Sequence, residues 1–482
     1  MAQKDWTDKV LDIFAEICKI PRPSGHEEKI GEFLIDFAKS HNLGYKQDEA
    51  GNILICKPAT PGMEKRQTVI LQAHQDMVCE KEAALEHDFM SEPITTYVED
   101  GWLKAKGTTL GADDGIGISM ALAILESNVI RHGPIECLFT VSEETGLCGA
   151  ENLQAGMMNG TMLINLDSED EGEIFIGCAG GIKTDIDFNF TEEDIPEGYF
   201  FLKLCVDKLH GGHSGDDIDK GYANANKVLG RFLYETYDKY DMRLCSFSGG
   251  NLHNAIPRDA TAIIAIPSKD KEAIRVDFNI YADTLQNEFH ATENEMEFRM
   301  ESTDPLPKCI CQDVARNFIT GIHSVVNGVF AMSMDVPGLV ETSSNLASVR
   351  TGKDSIHIVT SQRSSVESSK WNVASTIEGT FRLAGAKVTK GEGYPGWTPN
   401  TMSRLLKISA ETYTRLFGKE PKIRAIHAGL ECGLFLNSYP NLDMISVGPT
   451  LRGVHSPSER LELRTVDMVF RHLLAILEEI SE

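Results

Sequence analysis

Two hydrophobic rhythms run along the chain, and the first gives way to the second. Apolar positions recur at helical spacing over residues 6–18 and 27–40, and Pro21, Pro23 and Ser24-Gly25 break the pattern between them. Three nearly continuous apolar runs follow: Thr68 to Ala73, Ile135 to Val141 and Met162 to Leu166. Such runs are expected of parallel strands covered on both faces. A helical stretch, Gly115 to Glu126, lies between the first two. The strand–helix–strand order predicts an α/β sheet covered by helices.

Near residue 183 the texture changes. Ile186, Phe188 and Phe190, then Phe201, Leu204 and Val206, stand among polar neighbours, as in antiparallel strands with one wet face. A helix is predicted near Tyr222–Tyr237, strands at Ala260–Ile266, Val276–Tyr281 and Met296–Met300, and a helix at Lys370–Leu383. Gly391 to Pro399 reads as a loop; beyond it Met402–Phe417 predicts a helix and Asp443–Val447 a buried strand. The simplest organisation is an α/β domain in two parts, residues 1–183 and 396–482, interrupted by an α+β domain over residues 184–395.

Composition narrows the partners. The chain has 482 residues, with 46 basic and 72 acidic side chains and a net charge of −26. At roughly 150 residues per domain, two or three domains are expected. Nucleic acid and anionic membranes both need clustered Lys and Arg, so neither is an expected partner. The acidity is compatible with cation binding, although most of it is the ordinary solvated surface. No targeting segment opens the sequence, and no stretch approaches the roughly 18 apolar residues of a membrane span. The eleven cysteines are an odd number with no Cys-x-x-Cys, which fits reduced thiols in a cytoplasmic protein.

The chemistry gathers at strand ends. The three early runs finish at His74-Gln75-Asp76, at Ser142-Glu143-Glu144 and at Asn165-Leu166-Asp167. Ligands of open α/β sheets sit beyond the carboxyl ends of the strands, so these positions converge. Any one of them alone is more often an exposed or satisfied group; three together favour a site. Asp113 and Asp114 precede the Gly115 helix, where one can cap it while the other faces the site. His455, in the loop after the Asp443–Val447 strand, lies beyond another strand end. Imidazole with carboxylate suits zinc, manganese or cobalt rather than a thiolate site. Two His and three carboxylates serve two metal ions only if one carboxylate bridges. Asp76 can orient the His74 ring. Of Glu143 and Glu144, one can bind metal while the other moves protons.

His74-x-Asp76, Gly-Ala-Asp113-Asp-Gly, Glu143-Glu144, Asp167 and the late His455 resemble the co-catalytic zinc metallopeptidases of the carboxypeptidase G2 and peptidase T type. Gly211-Gly212-His213-Ser214-Gly215, Asn254-Ala255-Ile256-Pro257-Arg258 and His427-Ala428-Gly429-Leu430-Glu431-Cys432-Gly433 narrow the resemblance to the aminoacyl-histidine dipeptidases, over essentially the whole chain. The resemblance implies a mixed, mainly parallel sheet domain covered by helices, with the insert as a lid. It puts one metal ion on His74, Asp113 and Asp167 and the other on Asp113, Glu144 and His455, with Glu143 as general base and Asp76 holding His74. Many relatives have Lys two residues after the bridging Asp where this chain has Gly115, and the adjacent Asp114 leaves the bridge open by one residue. By the same resemblance His213 stabilises the oxyanion, Asn254 contacts substrate, Arg363 binds the C-terminal carboxylate and Glu431 faces the amino end.

The expected activity is therefore hydrolysis of dipeptides, Xaa-His among them, by a homodimer with two divalent ions, zinc foremost. A related tripeptidase or N-acyl amino acid deacylase is the alternative. Gly212-His213-Ser214-Gly215 superficially suggests a serine hydrolase, but it does not match Gly-x-Ser-x-Gly. A peptide-binding module would have no need of Glu143 beside a complete ligand set.

Overall fold

The structure, a computed structural model, describes residues 4–480. The chain divides into two compact units, Met1–Gly177 with Trp397–Ala425 and Leu430–Glu482, and Cys178–Gly396 with Ile426–Gly429. The architecture is mixed α/β.

The first unit is built on an eight-stranded sheet in the order Gly44–Gln47, Ile53–Lys57, Ile135–Thr140, Val69–His74, Met162–Asn165, Asp443–Ser446, Glu173–Cys178, Lys422–Ile426. The four central strands, from Ile135–Thr140 to Asp443–Ser446, pair in parallel. Every residue of Val69–His74 and Ile135–Thr140 is buried, which explains their unbroken apolar reading. The helices Lys4–Ile17, Glu28–Ser40, Ala112–Glu126, Arg404–Phe417 and Leu463–Glu479 contribute Phe14, Leu34, Ile118, Leu405 and Phe470 to the same core. Ala112–Glu126 is apolar nearly all round and is buried along almost its whole length. A small four-stranded sheet, Leu451–Arg452, Arg460–Glu462, Trp102–Ala105 and Thr96–Glu99, carries the loop that holds His455.

The second unit is a nine-stranded sheet with its own core. Its main order is Glu297–Ser302, Tyr199–Asp207, Ala260–Pro267, Arg243–Gly249, Val340–Thr351, Ser355–Ser364, Gly180–Asn189, Lys387–Lys390, with Gly328–Met332 pairing Val340–Thr351. The helices Ala225–Thr236, Lys271–Glu288, Gln312–Ser324 and Glu367–Leu383 pack Phe232, Phe278, Phe318 and Phe381 into that core. One expectation fails here: Val276–Tyr281 is not a strand but part of the helix Lys271–Glu288. Ile274, Phe278, Tyr281 and Leu285 are its buried residues, at helical spacing. Val276 and Ile280, 56% and 60% exposed, lent the segment a strand-like composition from its solvent side. Among the described residues no helix is long and apolar enough to cross a membrane.

Candidate metal centre

Parallel pairing puts the ionisable strand ends at one edge of the sheet. His74 is paired with Thr140, three residues before Glu143, and the Leu166 N–H reaches the Gln72 carbonyl at 2.9 Å, which sets Asp167 beside them. Asp113 sits in the first turn of Ala112–Glu126, where it and Asp114 depart from helical backbone angles. Asp114 turns inward and accepts from the Gly117 N–H at 3.1 Å. A Cβ at Gly117 would lie 2.3 Å from Asp114 Oδ1, so this bond requires glycine there. Ser142, Leu147 and His455 carry positive φ of 50°, 60° and 58°, so both loops that present Glu143, Glu144 and His455 leave ordinary backbone space.

The side chains converge closely. His74 Nε2 lies 2.9 Å from Asp113 Oδ1 and 3.4 Å from Asp167 Oδ1. His455 Nε2 lies 3.2 Å from Asp113 Oδ2 and 3.0 Å from Glu144 Oε2. Asp113 thus turns one oxygen to each imidazole, the arrangement of a bridging carboxylate. Asp76 lies behind: its Oδ1 is 3.3 Å from His74 Nδ1, an ion-pair contact rather than an aligned hydrogen bond. It also accepts from the backbone N–H of Glu143 at 3.0 Å and of Glu144 at 3.2 Å. Three overlapping groups have ligand atoms near enough to share a cation: His74 with Asp113 and Asp167, Asp113 with Glu144 and His455, and His74 with Glu143 and Glu144.

Charge is concentrated here beyond what the protein alone balances. Burial and neighbouring carboxylates push Glu143 and Asp167 well above the ordinary carboxylate range, although His74 pulls both down. Contacts with Asp113 and Glu144 hold His455 up at about 11. Burial would raise Asp76 as well, but His74, Ser24 and the Glu143 N–H overcome it and hold the carboxyl at about 2. The donors are imidazole nitrogens and carboxylate oxygens with Asp113 shared, and this set fits a pair of divalent cations.

Residues 70–479 match peptidase family M20/M25/M40. The chain belongs to this family. The cytosol non-specific dipeptidase of Escherichia coli (strain K12) is 43% identical over 469 residues, 97% of each chain. The crystal structure of aminoacylhistidine dipeptidase from Vibrio alginolyticus is similar with a TM-score of 0.93 and 41% identity, covering 98% of this chain and 97% of that one. A tripeptidase from Staphylococcus aureus shares the fold alone, with a TM-score of 0.57 and 16% identity over 98% of each chain.

The remaining expected site residues of this M20 peptidase fall in two places. Glu431 is in the first unit and 2% exposed; its Oε2 accepts from Gln72 Nε2 at 2.6 Å and Thr140 Oγ1 at 2.9 Å, while Oε1 has no partner among the described residues. Burial raises it to about 7. His213, Asn254 and Arg363 belong to the second unit. Arg363 Nη2 lies 3.4 Å from His213 Nε2, and Nη1 donates to the Tyr394 hydroxyl at 3.2 Å. His213 Nδ1 is 3.1 Å from the Asp216 backbone N and 3.2 Å from its Oδ2. Exposed Asn254 adjoins them, its carbonyl accepting from the Ser214 N–H at 2.8 Å.

Sequence reading missed the groups that hold these. His427 Nε2 meets Ser343 Oγ at 2.7 Å, and burial and the nearby Arg363 depress that imidazole to about 4. Lys370, 1% exposed, donates to the Tyr394 carbonyl at 2.6 Å. Arg22 and Glu459, both buried, bond backbone groups beside His74 and Asp113. A buried Lys or Arg inside an otherwise helical or loop segment leaves no periodic trace; the signals were the motif that opens on His427 and the nearness of Glu459 to His455.

Proposed function

We propose that this chain is a cytoplasmic dipeptidase, cleaving Xaa-His among other dipeptides and carrying two divalent ions, zinc foremost. The observation that carries it is Asp113, whose two oxygens face His74 and His455 separately. His74, Asp113 and Asp167 would hold one ion, and Asp113, Glu144 and His455 the other. When bound, the pair polarises the scissile carbonyl and acidifies water. Glu143 takes the proton of the attacking water and returns it to the leaving nitrogen. Asp76 fixes the His74 ring and the backbone at Glu143 and Glu144 together.

In this reading His213, Asn254 and Arg363 are substrate contacts. If His213 Nδ1 accepts the Asp216 N–H, the ring proton sits on Nε2 beside the Arg363 guanidinium, and the two donors side by side suit an anionic substrate group. His213 serves the developing oxyanion and Arg363 the C-terminal carboxylate, with Asn254 beside them. Glu431, whose Oε1 has no hydrogen-bond partner among the described residues, is the acceptor for the substrate's ammonium end. The likeness to the Escherichia coli and Vibrio enzymes over nearly the full length supports the dipeptide substrate. A homodimer is proposed on the family resemblance.

Metal analysis of the purified protein together with a panel of dipeptides, tripeptides and N-acyl amino acids tests the reading. Two ions per chain, preference for dipeptides and loss of activity with a chelator are expected. Preference for the N-acyl substrates would make it a deacylase, and inhibition by a fluorophosphonate without chelator sensitivity would end the metal reading.

A further inference from the structure

The turn that delivers Asp113 is gripped from both sides by buried ionic side chains. Glu459, 3% exposed, receives four successive backbone N–H groups. Its Oε2 accepts from Leu110 at 2.7 Å and Gly111 at 3.0 Å, and its Oε1 from Ala112 at 2.8 Å and Asp113 at 3.3 Å. Arg22, 2% exposed, takes carbonyls on the other side: Nη1 donates to Gln75 at 2.9 Å and Asp76 at 2.5 Å, and Nη2 to Gly111. Gly111 has φ +70°, and a Cβ there would lie 2.8 Å from both Arg22 Nη2 and Met77 Sδ. This turn therefore requires glycine at 111.

Consecutive N–H groups turned to one point make an anion-binding concavity. Here the anion is part of the chain, and it stands four residues beyond His455. One side chain thus links the backbone before Asp113 to the loop that carries the other imidazole. We propose that Glu459 is a positioning residue for the metal pair, holding Leu110–Asp113 so that both Asp113 oxygens face their histidines before any metal arrives. This rests on the reading of Asp113 and His455 as ligands. The competing account is that Glu459 only stabilises the fold.

Glu459→Gln separates the two accounts. The carboxamide keeps the shape but accepts through one oxygen, so two of the four N–H groups lose their acceptor. Zinc titration of the chelator-stripped full chain should show affinity lowered about 10–100-fold in the variant, the usual loss when a group supporting a ligand is removed. Lower melting temperature with unchanged zinc affinity would overturn the proposal and leave Glu459 structural. If the wild type itself bound no zinc, the reading of the centre would fail instead. A second arm needs no variant. In metal-free wild type, peptides covering Leu110–Asp113 should already resist amide hydrogen exchange, and on adding zinc should gain no more protection than the neighbouring strand Val69–His74 gains. Free exchange until zinc is added would mean that the metal orders the turn, and would sink the idea even if Glu459→Gln failed to fold.

Discussion

Glu143 and Glu144 are neighbours whose surroundings assign them different work. Glu144 reaches His455 Nε2 with both carboxylate oxygens, at 3.1 and 3.0 Å, whereas Glu143 is raised well above the carboxylate range by burial and by Glu431, Glu144 and Asp113 against the pull of His74. Glu143→Gln is expected to keep both metal ions and to lose about 10²–10⁴-fold in kcat, the usual share of general acid–base work. Glu144→Gln should instead lose metal occupancy; equal metal loss in the two variants would remove the division. Arg363 calls for a different comparison. Arg363→Ala should raise KM for a free dipeptide more than tenfold, since a charged hydrogen bond is worth about 1.5–3 kcal/mol. The same dipeptide amidated at its C-terminus should be nearly indifferent, and equal damage to both would make Arg363 a structural cation. At this scale the ionisable cluster was legible, because strand ends advertise themselves as apolar runs that stop at His, Asp or Glu. Arg22 was not, because its partners are backbone carbonyls, which no sequence pattern displays.

Between elements, the pairing of the helices Arg404–Phe417 and Leu463–Glu479 has a titratable group at its centre. His472 is 3% exposed; its Nε2–H donates to the Ser409 carbonyl at 2.8 Å and its ring meets Tyr413 edge-on at 5.2 Å. Burial depresses it to about 4, against a smaller upward pull from the Ser409 carbonyl. An unfolded His titrates near ~6.5. Between these values the unfolded chain holds a proton that the folded chain refuses. The stability is therefore fully present above about pH 6.5 and falls as pH drops towards about 4. From about pH 7.5 to about pH 5 this is worth about 2 kcal/mol. Urea unfolding of His472→Gln, which cannot protonate, should lose about that much less over the same interval; identical losses would acquit His472. The elements themselves were unevenly legible. Apolar runs and amphipathic stretches of the first unit stood out, but Val340–Thr351 and Ser355–Ser364 did not. Ser343, Ser344, Asn345, Thr360, Ser361 and Gln362 are buried polar residues, so two of the longest strands look like loop to a hydrophobicity reading. Val276–Tyr281 failed for the converse reason, since its exposed Val276 and Ile280 mimic a strand.

Over the whole molecule, the candidate ligands are distant in sequence and close in space because the last segment returns to the first sheet. Asp443–Ser446 pairs in parallel with Met162–Asn165, Ser446 beside Asn165, and so sends the chain to His455 at the edge where Asp167 leaves. His74, Asp113, Glu144, Asp167 and His455 all lie in the first unit, and each unit has its own hydrophobic core. Metal that binds only the folded state stabilises it by mass action, about 2.7 kcal/mol at a hundred times Kd. Its removal also leaves Asp113, Glu143, Glu144 and Asp167 crowded with only the imidazoles of His74 and His455 to balance them. Chelation is therefore expected to speed amide exchange in the central strands of the first unit, Val69–His74 and Met162–Asn165. The second unit, which supplies no proposed ligand, should keep its protection in Ala260–Pro267. Hydrogen exchange of the full chain with and without zinc measures both at once. Equal loss in both strand sets would mean that the metal stabilises the molecule as one cooperative body, and unchanged exchange in the first unit would show that the cluster binds no metal with useful affinity.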